Sequence, residues 1–256
     1  MTPLHTETYG RGKPLVLVHG WAMHSGIWRS FAQCLAQRYQ VTCVDLPGHG
    51  QSAKTGAFTL PKVCRQLARQ LPEQSSHWLG WSLGGSVVLE MARLFPERVT
   101  SVMLLASNPR FIKDADWPGL NETALDAFAG NLADDCETTL MRFLSLQIKG
   151  QPEFKELARE LKQAVHACPT PTTETLLEAL TLLKQADLRP VVAALDKPIL
   201  AVLGGVDTLV PVVLGEALQK LNPKLQATII GQAGHVPFLS HRQALIDHIT
   251  GFLEKQ

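Results

Sequence analysis

The stretch Gly80-Trp81-Ser82-Leu83-Gly84, followed at once by Gly85, constrains this chain more than any other. An apolar run, His77-Trp78-Leu79, leads into it, and a helical pattern, Ser86-Val87-Val88-Leu89-Glu90-Met91-Ala92, leads out. A serine between two glycines on a strand-to-helix turn is the G-x-S-x-G nucleophile-elbow pattern. The turn is so tight that side chains two positions either side of the serine would clash, and glycine at 80 and 84 removes the clash because it has no Cβ. The strained backbone pushes the Ser82 hydroxyl out above the sheet. The helix that follows aims its N-terminal amides, Leu83 first, at any oxygen that becomes negative there. Such a pentapeptide also arises by chance in glycine-rich loops, so the strand before it and the helix after it carry the weight.

The rest of the chain supplies the sheet that such a turn needs. Residues 6–9 read as an edge strand, and residues 14–20 and 41–46 as strands, the first of these a continuous apolar run of the kind buried on both faces of a parallel sheet. Helical spacing is expected over 27–39 and 60–71 and from the elbow to Phe95, and a further strand over 99–106. Strand and helix alternate up to that point, which argues for an α/β, doubly wound sheet. The rhythm then breaks. Helices are expected over 122–132, 137–149, 153–168 and 173–185, with no convincing strand among them, and prolines and Gly150 punctuate them. The strand pattern resumes at 197–205 and 225–230, with helices at 214–221 and 242–253. Residues 1–107 and 188–256 are therefore expected to form one core, and residues 108–187 a helical lid over the C-terminal edge of its sheet, where open α/β sheets bind ligands. A chain of 256 residues, 45% hydrophobic, is long enough to stand on such a core without covalent staples.

A serine hydroxyl is a poor nucleophile until a base takes its proton. Two strand ends downstream of Ser82 carry the needed groups: Asp207, after Gly204-Gly205-Val206, and His235, within Gly234-His235-Val236-Pro237. Asp207 has a second reading as the cap of the helix after it. His235 is one of nine histidines. Taken together, in the order serine, acid, histidine and all at strand ends, the three read as a catalytic triad. His19 is expected to shape the loop after the first buried strand and His49 to serve a turn. His5, His24, His77, His166, His241 and His248 default to surface or packing roles. The oxyanion of a tetrahedral intermediate needs two donors, each worth ~3–4 kcal/mol of barrier. The backbone amides of Leu83 and Trp21 are the candidates, and the Trp21 ring either lines an acyl pocket or simply packs.

Together, His19-Gly20-Trp21, the run 80–85, Asp207 and Gly234-His235 resemble the α/β-hydrolase superfamily. More narrowly, Trp78 through Gly85, Pro96-Glu97-Arg98-Val99, Asp116-Trp117-Pro118-Gly119 and Arg142-Phe143-Leu144-Ser145-Leu146-Gln147 are similar to the BioH family of carboxylesterases, which demethylate pimeloyl-[acyl-carrier protein] methyl ester in biotin synthesis. The resemblance spans nearly the whole chain. It implies the α/β-hydrolase fold, a mostly parallel doubly wound sheet with a helical cap inserted after the sixth strand. It implies a serine carboxylesterase that needs no cofactor or metal. It also implies acyl-chain contacts from Trp21, Ser82, Leu83, Phe143, Leu144, Ser145, Leu146, Gln147 and His235, although packing within the lid is an equal role for the apolar ones. An acyl-carrier protein is acidic, and Arg142, Lys149, Lys155, Arg159 and Lys162 cluster in two adjacent expected helices. Family carrier contacts match Arg142 and Arg159. Lys155 keeps the charge without the guanidinium fork, and Thr138 stands where another cation is expected. Glu153, Glu156 and Glu160 are interleaved, so a plain solvated face is the alternative.

Other classes fit less well. A net charge of +1 gives no global field for nucleic acid or membrane. No apolar run reaches the roughly 18 residues of a membrane span. Five scattered cysteines, and an N-terminal stretch without a basic start and apolar run, suggest reduced thiols in a cytoplasmic protein, and a monomer is expected. A short-chain esterase acting on small esters, a lactonase or a carbon–carbon hydrolase shares the same triad, and a hydrolase-fold receptor keeps it without turnover. A dehalogenase would carry aspartate in place of Ser82, and the run 80–85 is not a dinucleotide-binding G-x-G-x-x-G.

Overall fold

The computed structural model describes residues 3–256. The chain opens with β1 (Thr6–Tyr9), β2 (Lys13–Val18), α1 (Arg29–Leu35), β3 (Tyr39–Val44), α2 (Leu60–Gln70), β4 (Ser76–Trp81), α3 (Leu83–Leu94) and β5 (Val99–Leu105). Four helices follow: α4 (Glu122–Asp134), α5 (Cys136–Gln147), α6 (Phe154–His166) and α7 (Thr173–Gln185). The chain closes with α8 (Arg189–Ala194), β6 (Ile199–Gly204), α9 (Leu214–Leu221), β7 (Gln226–Ile230), α10 (Pro237–Ser240) and α11 (Arg242–Leu253).

The seven strands form one sheet in the order β1-β3-β2-β4-β5-β6-β7, with only β1 antiparallel to its neighbour. Strand side chains alternate between faces, and two core clusters record that alternation. Val16, Val18, Trp78, Val102, Leu104 and Leu203 point one way, into α2, α3, α8 and α9. Leu15, Leu17, Leu79, Trp81, Met103 and Val202 point the other, into α1 and α11. Because both faces are covered, the inner strands are buried along nearly their whole length, which is why they read as unbroken apolar runs.

The four inserted helices extend both clusters past the end of the sheet. Leu132, Leu140, Leu176 and Leu180 join the first, and Leu144, Leu157, Leu161 and Val165 the second. Chain order reverses between β2 and β4, whose register pairs Val18 with Gly80. That reversal is the switch point at which α/β sheets leave a crevice.

Three expectations need correcting. The inserted helices follow the fifth strand, not the sixth, because a single antiparallel strand, β1, precedes the parallel set. The helix expected over 27–39 stops at Leu35, since Tyr39 and Gln40 are drawn into β3 beside β2. The short α8 and α10 were not expected, being too brief to show a helical period. All five cysteines are free thiols. Among the described residues no helix is long and apolar enough to cross a membrane.

Candidate active site

Ser82 sits at the junction of β4 and α3 with φ 53° and ψ −119°, a left-handed conformation that a side chain rarely adopts. Its neighbours hold it there. The Ser82 amide donates to the Leu105 carbonyl at 3.0 Å, and the Ser82 carbonyl accepts from the Gly85 amide at 2.9 Å and the Ser107 hydroxyl at 2.6 Å. A Cβ on Gly80 would lie 2.2 Å from the Gly84 oxygen, and one on Gly84 would lie 2.3 Å from the Val18 oxygen. The glycines are thus required by backbone crowding. Leu83 opens α3, so its amide lies in the first turn, where no intrahelical carbonyl is available.

The loops after β6 and β7 bring Asp207 to His235. Nδ1 of the imidazole donates to Asp207 Oδ2 at 2.8 Å, with the side chains 1% and 0% exposed. The other carboxylate oxygen, Oδ1, accepts from the Leu209 and Val210 amides at 2.8 and 3.1 Å. Asp207 therefore closes its own turn and orients the histidine; it does not cap the helix after it, since α9 begins only at Leu214 with Val213 as its N-cap. With Nδ1 donating, Nε2 carries the lone pair; it is buried and hydrogen-bonded to nothing among the described residues, Ser82 included. Trp81, the residue before Ser82, donates its Nε1–H to the His235 carbonyl at 2.8 Å and sets its ring 5.8 Å from the imidazole. The His235 amide donates to the Gln147 carbonyl at the end of α5, at 3.0 Å. The histidine backbone is therefore held both by β4 and by an inserted helix.

The loop after β2 lies against Ser82, since a Cβ on Gly20 would come within 3.2 Å of Ser82 Cβ. His19 pins it. The Leu46 amide donates to His19 Nε2 at 3.0 Å, which leaves Nδ1–H to donate to the Gly20 carbonyl at 2.8 Å. Burial, then the neighbouring His49, pushes the His19 pKa down to about 3, so the ring stays neutral. His49 bonds the Pro47 carbonyl in its turn, His24 bonds the Ala164 carbonyl of α6, and His77 bonds Ser101.

A cavity of about 240 Å³ opens from Ser82, lined by Trp21, Phe128, Phe143, Leu146 and Lys149 among others. Trp21 meets Phe143 and Phe128 edge-on at 4.9 and 5.4 Å, and its Nε1–H donates to the Leu176 carbonyl of α7. Of the stretch 143–147, Phe143 and Leu146 share the cavity-facing side of α5. Leu144 does not line it; one step round the helix, it turns into the core beside the sheet. Ser145 is exposed and donates to the Met141 carbonyl, and Gln147 is buried. Leu83 and His235 are buried without lining the cavity. Arg142, Lys155 and Arg159 are exposed and, among the described residues, form no ion pair. Lys149 lines the cavity, apart from the role of docking cation expected of it. Trp81, Ser107 and Phe128 escaped the sequence reading. Only Ser107, just beyond a strand end, carried a usable signal.

Residues 13–242 match the family model described as alpha/beta hydrolase fold. The chain is 44% identical over 250 residues to the pimeloyl-[acyl-carrier protein] methyl ester esterase of Methylococcus capsulatus, covering 98% of each chain. It is 38% identical over 253 residues to the enzyme of that name in Photobacterium profundum, covering 99% of each. Among solved structures, an esterase from Exiguobacterium antarcticum superposes with a TM-score of 0.87 at 20% identity, covering 99% of this chain and 96% of that one. A bromoperoxidase from Bacillus anthracis superposes with a TM-score of 0.89 at 22% identity, covering 98% and 95%. At that identity the superpositions speak for the fold alone.

Proposed function

Because the chain belongs to the alpha/beta hydrolase fold family, we propose that it is a serine carboxylesterase that hydrolyses the methyl ester of pimeloyl-[acyl-carrier protein], releasing methanol and the free carboxyl. The observation that carries this reading is the 44% identity, over 98% of both chains, with an esterase of that name. The geometry at Ser82, Asp207 and His235 supports the matching chemistry. His235 Nε2 takes the Ser82 proton as the hydroxyl oxygen attacks the ester carbonyl. The Leu83 and Trp21 amides donate to the oxyanion, and Asp207 stabilises the imidazolium. The imidazolium returns the proton to the departing methoxide, leaving an acyl group on Ser82. Water, deprotonated by the same nitrogen, then releases the acid. A short Ser82–His235 approach is made only when substrate fills the site, since hydrogen bonds at such sites tighten in the substrate complex.

Residues 108–187 act as the lid. Trp21, Phe143 and Leu146 hold the acyl chain, and the exposed cations Arg142, Lys155 and Arg159 receive the acidic carrier. A cavity of about 240 Å³ suits an acyl chain, not a carrier arm, so the arm leaves over the lid. Unpaired, scattered thiols suit a reducing cytoplasm, in which the chain works as a monomer.

Kinetics on the carrier-bound methyl ester beside a free methyl ester tests the assignment. The expected result is a kcat/KM at least tenfold higher for the carrier-bound substrate. Ser82→Ala should lose turnover of both by roughly 10⁴-fold or more while its melting temperature holds. Equal kcat/KM for the two esters overturns the carrier-bound substrate, and surviving turnover in Ser82→Ala overturns the nucleophile.

A further inference from the structure

Beside the hydroxyls of Ser82 and Thr208, the cavity at Ser82 is aromatic and aliphatic apart from one charged side chain, Lys149. Lys149 lies just past the C-terminus of α5, where its amide bonds to the Leu146 carbonyl and Gly150, with φ 79°, turns the chain. The residue is exposed and yet lines the cavity. A lysine does both by laying its methylene stem along apolar wall and holding its ammonium at the wet mouth. Among the described residues the wall carries no carboxylate and Lys149 forms no ion pair. The neighbouring Thr208 spends its hydroxyl proton on the Leu146 carbonyl at 3.2 Å. No described residue therefore answers this charge. An acyl chain that presents its ester to Ser82 runs along Phe143 and Leu146 toward it.

We infer that Lys149 selects an anionic group at the far end of the acyl chain, and that free methyl half-esters of aliphatic dicarboxylic acids are substrates in their own right. The inference rests on the reading of Ser82 as an esterase nucleophile. The distal carboxylate is ionised at neutral pH and pairs with the ammonium while the methyl ester is attacked. Water adds across the acyl–oxygen bond, methanol leaves with the proton returned by His235, and the product is the diacid with both carboxyls free. A lysine at a helix C-terminus also complements the helix dipole, which is a stability role and would leave substrate choice untouched.

The test uses the whole chain with two probes of equal length, the monomethyl and dimethyl esters of heptanedioic acid, assayed on wild type, Lys149→Met and Lys149→Arg. The half-ester to diester ratio of kcat/KM should fall about fivefold in Lys149→Met, the size of one half-solvated ion pair, through KM with kcat unchanged. Lys149→Arg should keep the ratio. Raising ionic strength should erode the wild-type ratio and leave that of Lys149→Met flat. An unchanged ratio in Lys149→Met, with or without a lower melting temperature, overturns the inference. Absence of turnover of both esters in the wild type would instead defeat the esterase reading beneath it.

Discussion

The turn that carries Ser82 and the helix that carries Phe143 face the same cavity under opposite constraints. At the turn, backbone meets backbone: the positions a side chain would occupy at Gly80 and Gly84 lie 2.2 and 2.3 Å from carbonyl oxygens. Each residue type there is dictated by atoms within a few ångströms. On α5 the demand is looser. One face must be apolar enough to reach the core, and the rest is free to carry Arg142 and Ser145. On the proposed function, the difference separates where chemistry is stored from where selectivity is tuned. The groups proposed to react ride at a strand end and on the loops just past two others, fixed by the sheet. The groups proposed to choose among substrates ride on helices held by side-chain packing and a few bonds, such as the Leu146 and Gln147 carbonyls to Thr208 and His235.

The sharpest way to break this comparison is one substitution made in both regions. Gly80→Ala forces a Cβ into the Gly84 backbone and should cost more than about 3 kcal/mol, enough to abolish soluble expression or lower the melting temperature by more than 10 °C. Gly130→Ala, in α4, meets nothing within 4 Å. It should be neutral or stabilise by up to about 1 kcal/mol, because glycine weakens a helix interior. Thermal melts of the two variants decide the matter. Equal destabilisation would mean that the inserted helices are as tightly determined as the turn.

Acid should separate the regions next. His19 and His49 are fully buried in the core, and burial first of all pushes their pKa values down to about 3 and about 4. In the unfolded chain both take up protons near the ordinary 6.5. Between pH 6.5 and 4 the unfolded state therefore binds more protons than the native one, and stability falls as pH falls. A drop from pH 6.5 to 5 should cost roughly 3 kcal/mol, with a slope approaching two protons. His49→Gln should flatten the slope by about one proton, measured as unfolding free energy against pH. A slope unchanged in that variant would show that other groups drive the loss.

The same contrast explains what the sequence could and could not tell. Rigid features are local and so were legible: the elbow glycines, the buried strand runs, and the helical periods of α4 to α7, whose extents were expected to within a few residues. Features that join distant residues were mostly not, the meeting of Asp207 with His235 being the exception. Nothing near position 81 announces that its indole will hold the His235 carbonyl, 154 residues away. The family resemblance groups Leu144, Ser145 and Gln147 with Phe143 as one stretch, whereas a helix parts neighbours by about 100° and sends Leu144 into the core. Asp207 reads as a helix cap or as a partner of His235, and only coordinates show one oxygen spent on its own turn, short of α9, and the other on the imidazole.

The smallest effect expected is the one that tests whether the outer face of α5 and α6 is chosen or merely solvated. Arg142 and Arg159 are exposed and, among the described residues, unpaired, although Glu153, Glu156 and Glu160 lie nearby in sequence. Were the face only solvated, reversing these charges would be silent on every substrate. If it receives an acidic carrier, Arg142→Glu with Arg159→Glu should raise KM for the carrier-bound ester about tenfold at low salt, near 1.4 kcal/mol. The free ester should be unaffected, because neither arginine lines the cavity. Added salt should narrow the gap, since rim charges act through a field that ions screen within about 10 Å. Lys155→Glu alone should do less, because a single ammonium lacks the fork that grips a carboxylate in two places. A KM that rises equally for both substrates would trace the effect to a disturbed lid and return these cations to the solvent.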